Sequence, residues 1–326
     1  MKAKLICLTP VRNEAWVLHA FLQATSLWAD YIIIADQNST DGSREIVLSY
    51  PKVILVDNPI ANMHQSRTRQ ILFDEANKID GDKIIFTLDA DEILSGNFLQ
   101  SNGWKRILES KQGEIFAFRW INLYNSLVRG VHLDTFMEWA CNYGGNVAGR
   151  YQDAHIHEMR LPIPENESWI TIDDIWFLHF SHLVKMRQIN KDIFYQVSTV
   201  YAEPNKSIVS LHRMYHHKSE INLELIDDGM WTYYKQTGID FTKLIDLNDV
   251  GLYYVNEITR MMSEKDVEFF AGLDIWKSED LKGYDDFKDP RGLLMRLIHL
   301  YLNATSKYKA YFSVRAVDKL LKNLGF

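Results

Sequence analysis

From Lys4 to Leu88 the chain alternates short unbroken apolar runs with longer stretches whose apolar residues recur at helical spacing. Lys4 to Leu8, Tyr31 to Ala35, Val53 to Val56 and Lys83 to Leu88 are the runs, and each reads as a strand buried on both faces. Between them, Glu14 to Leu27 carries Trp16, Val17, Ala20, Phe21 and Ala24 along one side. A second helix carries Ile46 and Val47 behind the polar turn Asn38 to Gly42, where Asp41 can cap it. His64 to Ala76 suits a third. This βαβαβαβ order predicts an α/β fold with a mainly parallel sheet flanked by helices.

Beyond Leu88 the order loosens. Phe98 to Leu108 is predicted as a helix and Glu114 to Trp120 as a strand, with Phe116, Phe118 and Trp120 on one face. Leu123 to Gly149 mixes Gly, Asn and aromatics without a clear period and is read as a loop able to close over a site. Leu161-Pro162-Ile163-Pro164 breaks the chain, Ile175 to Phe180 is apolar again, and Val184 to Tyr201 has helical spacing. From Glu203 onward the strands disappear, and His212 to Tyr234, Leu252 to Met262 and Leu293 to Leu302 are predicted helical. A boundary near Glu203 therefore separates an α/β domain, residues 1–203, from a helical C-terminal region, residues 204–326.

Composition changes the picture little. With 326 residues, 47% of them hydrophobic, the chain can bury a proper core. A net charge of -7 argues against nucleic acid as the main partner. Cys7 and Cys141 are the two cysteines, and no spacing suggests a disulfide or zinc framework. The basic start and its apolar run stop at Thr9-Pro10, too soon for a signal peptide, and no run approaches the roughly eighteen apolar residues of a membrane span. The expectation is a cytoplasmic chain, or one peripheral on the inner membrane face. The tail from Pro290 is basic and apolar at helical spacing. A helix on an anionic membrane looks like this; so does one packed on its own domain, the reading favoured from sequence.

The chemistry gathers at strand ends. Ile84 to Leu88 runs into Asp89-Ala90-Asp91-Glu92, which puts carboxylates where open α/β sheets bind ligands. In extended chain Asp89 and Asp91 project to one side, an unfavourable pairing of like charges unless a cation lies between them. A solvated acidic turn is the plainer alternative. The first junction, Thr9-Pro10-Val11-Arg12-Asn13-Glu14, lacks a Gly-rich phosphate loop, which counts against NAD and ATP chemistry. Arg12 can meet a phosphate beside a helix N-terminus, or pair with Glu14 at the surface. Asp36 ends the second strand and can accept from a base or a ribose, or start a turn. Arg67 and Arg69 can reach an anionic ligand or Asp89, or form a solvated face. His216-His217 reads as a solvated pair.

Taken in order, Thr9 to Glu14, Asp36 to Ser43, Arg69 upstream of Ala76, and Leu88 to Glu92 resemble the family 2 glycosyltransferases of the GT-A fold. The resemblance is close over roughly the first 95 residues and weaker to about Tyr201. It departs at Gln37 and Asn38, where the family more often has an acidic residue and Gly. The resemblance implies a nucleotide-sugar donor, with Thr9, Pro10, Arg12 and Glu14 lining the nucleoside pocket. Asp36 would bind the base, usually uracil. Asp91 would hold a divalent cation, Mn²⁺ or Mg²⁺, with Asp89 nearer the ribose. It also directs attention to two later clusters, Asp153 to Glu158 and Trp176 to His182. Glu158 is expected as the base for an inverting transfer, Asp153 second, with His157 less favoured. His179 is the candidate third metal ligand. Trp120, Tyr124 and Trp139 are candidates to stack on an acceptor ring, itself expected to be a glycan or lipid-linked sugar in surface polysaccharide assembly. A sugar nucleotidyltransferase would share the layout but normally shows the Gly-rich basic loop missing here. A non-catalytic sugar-nucleotide or glycan binder would keep the fold and lose the base.

Overall fold

The computed structural model describes residues 2–60, 65–150, 159–216, 222–245, 252–276 and 287–326. Nine strands form one sheet among them: β1 (Lys4–Val11), β2 (Tyr31–Asp36), β3 (Val53–Asp57), β4 (Lys83–Thr87), β5 (Glu92–Leu94), β6 (Glu114–Leu123), β7 (Arg129–Gly144), β8 (Ser168–His179) and β9 (Glu224–Leu225). The helices in chain order are α1 (Ala15–Ser26), α2 (Ser43–Leu48), α3 (Gln65–Asn77), α4 (Asn102–Leu108), α5 (Lys185–Ala202), α6 (Ile208–Tyr215), α7 (Gly229–Gln236), α8 (Leu252–Lys265), α9 (Leu293–Ala304) and α10 (Phe312–Asn323). The strand order is β3-β2-β1-β4-β7-β6-β8-β5, with β9 beside β7.

The first four strands are parallel, as their double-sided apolar runs predict. Their side chains alternate between two cores. Cys7, Ile32, Ile34 and Phe86 face the α1 side with Val17, Phe21 and Trp104. Ile6, Leu8, Ile33 and Ile85 face the other, with Leu72, Phe73 and Ala76 of α3. Cys7 and Cys141 are free, buried thiols, and burial pushes each up to about 12.

The region expected to be a closing loop is instead central. β7 runs antiparallel between β4 and β6, with Ile85 opposite Cys141 and Ile115 opposite Cys141 on the other side. Its glycines and asparagines hid the period because the strand is irregular: its register shifts at Lys83/Ile84 against β4, and at Phe116/Ala117 and Phe118/Trp120 against β6. The single helix expected over His212 to Tyr234 is also replaced, by α6, β9 and α7.

The chain divides into two compact units at places other than Glu203. The first holds Met1–Val184 and Leu223–Leu247; the second holds Lys185–Asn222 and Asn248–Phe326. Residues 223–247 return to the first unit because α7 is tied to β5: Tyr234 Oη donates to Leu94 O at 2.6 Å and the Gly96 amide to Met230 O at 2.5 Å. The second unit is helical, with α5 packed along α8 and α6 against α9 and α10. α9 and α10 pack on α6 as the packed-helix reading of the tail expects, through Val209, Ile298 and Leu302, and they also leave large apolar side chains exposed, among them Leu293, Leu300 and Phe312.

Candidate active site

The loops after β1 and β2 interlock. The amides of Asn13, Glu14 and Ala15 donate to Ser39 Oγ, Ser43 Oγ and Asp41 Oδ2, each at 2.9 Å. The Ala15 amide, the first of α1, and the two before it are therefore taken by side chains. Asp41 also accepts from the Ser43 amide at 3.0 Å, so one carboxylate ties down the start of both helices. Gly42, at φ 92°, supplies the left-handed turn that this geometry needs.

Asp36 ends β2, buried. Arg44 of α2 bridges it to Asp57 at the end of β3, with Nη1 3.1 Å from Asp36 Oδ2 and Nη2 2.7 Å from Asp57 Oδ1. Asp36 Oδ1 is buried with no hydrogen-bond partner among the described residues. Arg12 and Glu14 are half-buried, and Glu14 accepts from Trp16 Nε1 at 2.6 Å. Pro10 is half-buried too, but Thr9 is wholly enclosed, its Oγ1 3.6 Å from Cys7 Sγ. That side chain belongs to the core and lines no nucleoside pocket.

Asp89 and Asp91 do not lie in extended chain. β4 ends at Thr87, and the Glu92 amide donates to Asp89 O at 3.0 Å, closing a tight turn before β5. The two carboxylates consequently meet different partners. Asp89, 40% exposed, is flanked by arginines: Arg160 Nη2 is 3.4 Å from Oδ2 and the buried Arg69 Nη2 is 3.8 Å from Oδ1. Burial alone would push its carboxyl up, but Arg160 and then Arg69 outweigh this and hold it below the usual carboxylate range.

Arg160 itself is fixed by Glu92. Both guanidinium Nη atoms donate to the buried Glu92 carboxylate at 2.7 Å, and the ring of Trp139 lies 4.9 Å beneath. Glu92 Oε2 also accepts from Trp139 Nε1 at 3.2 Å and from the Asp89 amide at 3.0 Å. Trp139 is thus buried under the arginine and offers no acceptor platform. Trp120 packs edge-on against it at 5.3 Å, and Tyr124 stacks on His182 at 5.0 Å.

Asp91 is buried and faces His179 on β8. The two meet because β5 pairs with β8, which sets Glu92 opposite His179. His179 Nε2 lies 3.5 Å from Asp91 Oδ1, and Nδ1 lies 2.8 Å from Asn122 Oδ1 on β6. With Nδ1–H donating to Asn122, Nε2 is the ring nitrogen that faces the carboxylate. Carboxylate oxygen and imidazole nitrogen are donor types that a divalent cation accepts. The expected metal set of Asp91, Asp89 and His179 is therefore brought to one end of the sheet, but Asp89 already has two cationic partners.

Glu158, Asp153 and His157 lie outside the described residues. Sequence reading passed over Arg160, Glu92 as its anchor, Asn122 and Arg44. Only Glu92 carried a signal, as the third member of the acidic run.

A second group with metal-ligand side chains lies in the helical unit. One ligand atom from each of His212, His216 and Asp274 falls within 4.8 Å of the others. His216 is not a solvated residue: its ring stacks on His212 at 4.4 Å, and Nε2 is 3.1 Å from Gln196 Oε1. The Asp274 carboxylate, however, already accepts from Arg291 Nη1 at Oδ1 and from Asn303 Nδ2 at Oδ2, the latter at 2.7 Å. The guanidinium meets the demand for positive charge here.

The sequence profile of Glycosyl transferase family 2 matches residues 7–121. That family commonly uses divalent metals. No curated protein matches the chain. Among solved structures, a 4-diphosphocytidyl-2C-methyl-D-erythritol synthase is similar at 14% identity and a TM-score of 0.30, over 45% of this chain and 74% of that one. An inositol-1-phosphate CTP transferase from T. maritima is similar at 7% identity and a TM-score of 0.29, over 55% of this chain and 91% of that one. At these scores neither likeness bears on activity. The profile match runs over the strands and turns that carry Arg12, Asp36, Asp89 and Asp91, so residues 7–121 are similar to a family 2 glycosyltransferase domain.

Proposed function

We propose that the protein is a metal-dependent inverting glycosyltransferase that moves a sugar from a UDP-sugar to a glycan or lipid-linked acceptor. The observation that carries this is the buried Asp91 carboxylate facing His179 Nε2 at 3.5 Å, at the carboxyl end of β4 in a family 2-like domain. Asp36 Oδ1 accepts from the base, and Arg12, Pro10 and Glu14 border the nucleoside. Asp91 and His179 would hold Mn²⁺ or Mg²⁺, with Asp89 beside them. When bound, the cation takes up negative charge developing on the departing diphosphate.

The remaining work falls to the chain. Arg160, locked on Glu92, and Arg69 keep Asp89 ionised and in place for a ribose hydroxyl. The acceptor oxygen attacks the anomeric carbon in line with the leaving oxygen. The carbon–oxygen bond to the diphosphate breaks with its electron pair leaving on UDP, and Glu158, or Asp153 failing that, takes the acceptor proton.

The test is a panel of UDP-sugars with Mn²⁺ and simple sugar acceptors, followed by UDP release and by the anomeric configuration of the product. UDP release with inversion is expected. Release of pyrophosphate from UTP and a sugar 1-phosphate, without UDP-sugar turnover, would contradict the reading and favour nucleotidyl transfer.

A further inference from the structure

We infer that the outward faces of α9 and α10 form a docking surface for an anionic lipid bilayer. A helix at a water-exposed surface ordinarily turns polar residues outward. α9 does the reverse. Leu293, Leu297 and Leu300, at i, i+4 and i+7, are 76%, 53% and 66% exposed, and Leu294 beside them is 61% exposed. Its inner face holds Ile298, Leu302 and the polar His299. α10 repeats the arrangement with Val317 and Leu320 outward and Leu324 just past its end, while Val314 and Asp318 face in. Between the helices Tyr308 and Tyr311 are exposed, and Phe312, which opens α10, is 87% exposed. Such aromatic side chains favour the boundary between headgroups and acyl chains.

Charge selects the occupant. Residues 290–326 hold seven Lys or Arg and one acid, Asp318, in a chain whose net charge is -7; of the seven, Arg291 pairs with Asp274 and Asp289, and Arg296 with Asp289. Asp318 is taken by Arg213, whose Nε and Nη2 donate to it at 2.8 and 2.9 Å. On α10, Arg315, Lys319 and Lys322, at i, i+4 and i+7, form a basic stripe along one edge of the exposed surface, with Phe312 between it and the apolar edge of Val317, Leu320 and Leu324. Long basic side chains flanking an apolar face can lay their stems on lipid and place their charges among anionic headgroups. A second copy of the same face would bring like charges together. Among the described residues no helix is long and apolar enough to cross a membrane, so these helices lie on the lipid and do not span it.

The experiment is co-sedimentation of the full chain with phosphatidylcholine vesicles, with and without about a third phosphatidylglycerol, at low salt and at about 0.5 M salt. Binding to the anionic vesicles that falls in high salt is expected. Replacing Arg315, Lys319 and Lys322 by Gln should weaken it about a hundredfold, each such charge near an anionic surface being worth about fivefold. Leu297→Ser with Leu300→Ser should abolish it, with melting temperatures showing that both variants fold. Absence of sedimentation, or equal binding by the charge variant, would overturn the proposal. So would a dimer in light scattering that the double serine variant dissociates, because the occupant would then be a second copy. The readout uses neither donor nor acceptor, so it stands or falls apart from the transfer reaction.

Discussion

Two groups in this molecule set a buried aspartate against a histidine with arginines nearby, yet they differ in where the arginines go. In the helical unit, Asp274 receives Arg291 on one oxygen and Asn303 on the other, and His212 Nε2 stands off at 3.5 Å. Charge is balanced by side chains, as in a structural ion pair. At the end of β4, Arg160 is spent on Glu92 and Asp89, while Asp91 faces an imidazole whose other ring nitrogen is held by Asn122. Ligand types alone do not separate the two groups; the neighbouring arginines do.

The comparison can be pressed first where the largest effect is expected. Arg160→Met leaves the buried Glu92 carboxylate without its bidentate partner, and loss of about 3–5 kcal/mol is expected in denaturant unfolding. Asp91→Asn should instead leave stability near wild type or above it, while transfer falls on the order of a thousandfold, about 4 kcal/mol of barrier. If Asp91→Asn merely unfolds the protein, the two aspartates are alike and the contrast fails.

The helical unit should respond to acid. Burial pushes the His299 imidazole down to about 4, against the pull of Asp274 and with the help of Arg291. A histidine whose folded value lies below its unfolded value of about 6.5 contributes stability that is complete above pH 6.5 and drains as pH falls toward 4. The loss is at most about 3 kcal/mol, and the melting temperature of His299→Gln should fall less steeply over that range. An equal slope would remove His299 from the acid response. The smallest effect is expected at Asn122→Ala, which frees the His179 ring and should weaken Mn²⁺ binding about tenfold to a hundredfold, read by titration calorimetry.

Much of the first unit was legible in the chain. The four parallel strands announced themselves because burial on both faces demands unbroken apolar runs, and their ends pointed to Asp36, Asp89 and Asp91. β7 was not legible: a long, irregular strand with Gly130 and Gly144 in it has no sustained period, and its partners are far away in sequence. Arg160 was hidden for a related reason, since its contacts with Asp89 and Glu92 span about seventy residues and no local pattern encodes them. His179 could be suggested by its apolar neighbours, but its tautomer depends on Asn122, which only the β6–β8 pairing brings near. The exposed leucines of α9 were visible as an amphipathic pattern, yet periodicity does not say which face turns outward.

The central claim is that the demand for a cation lies at Asp91 and His179 and not at Asp274. The direct measurement is the rise in melting temperature on adding UDP with and without Mn²⁺, in wild type, Asp91→Asn and Asp274→Asn. The account predicts that Mn²⁺ enlarges the UDP shift in wild type and in Asp274→Asn, and that this gain is absent in Asp91→Asn. A gain that survives in Asp91→Asn, or that vanishes only in Asp274→Asn, would contradict it.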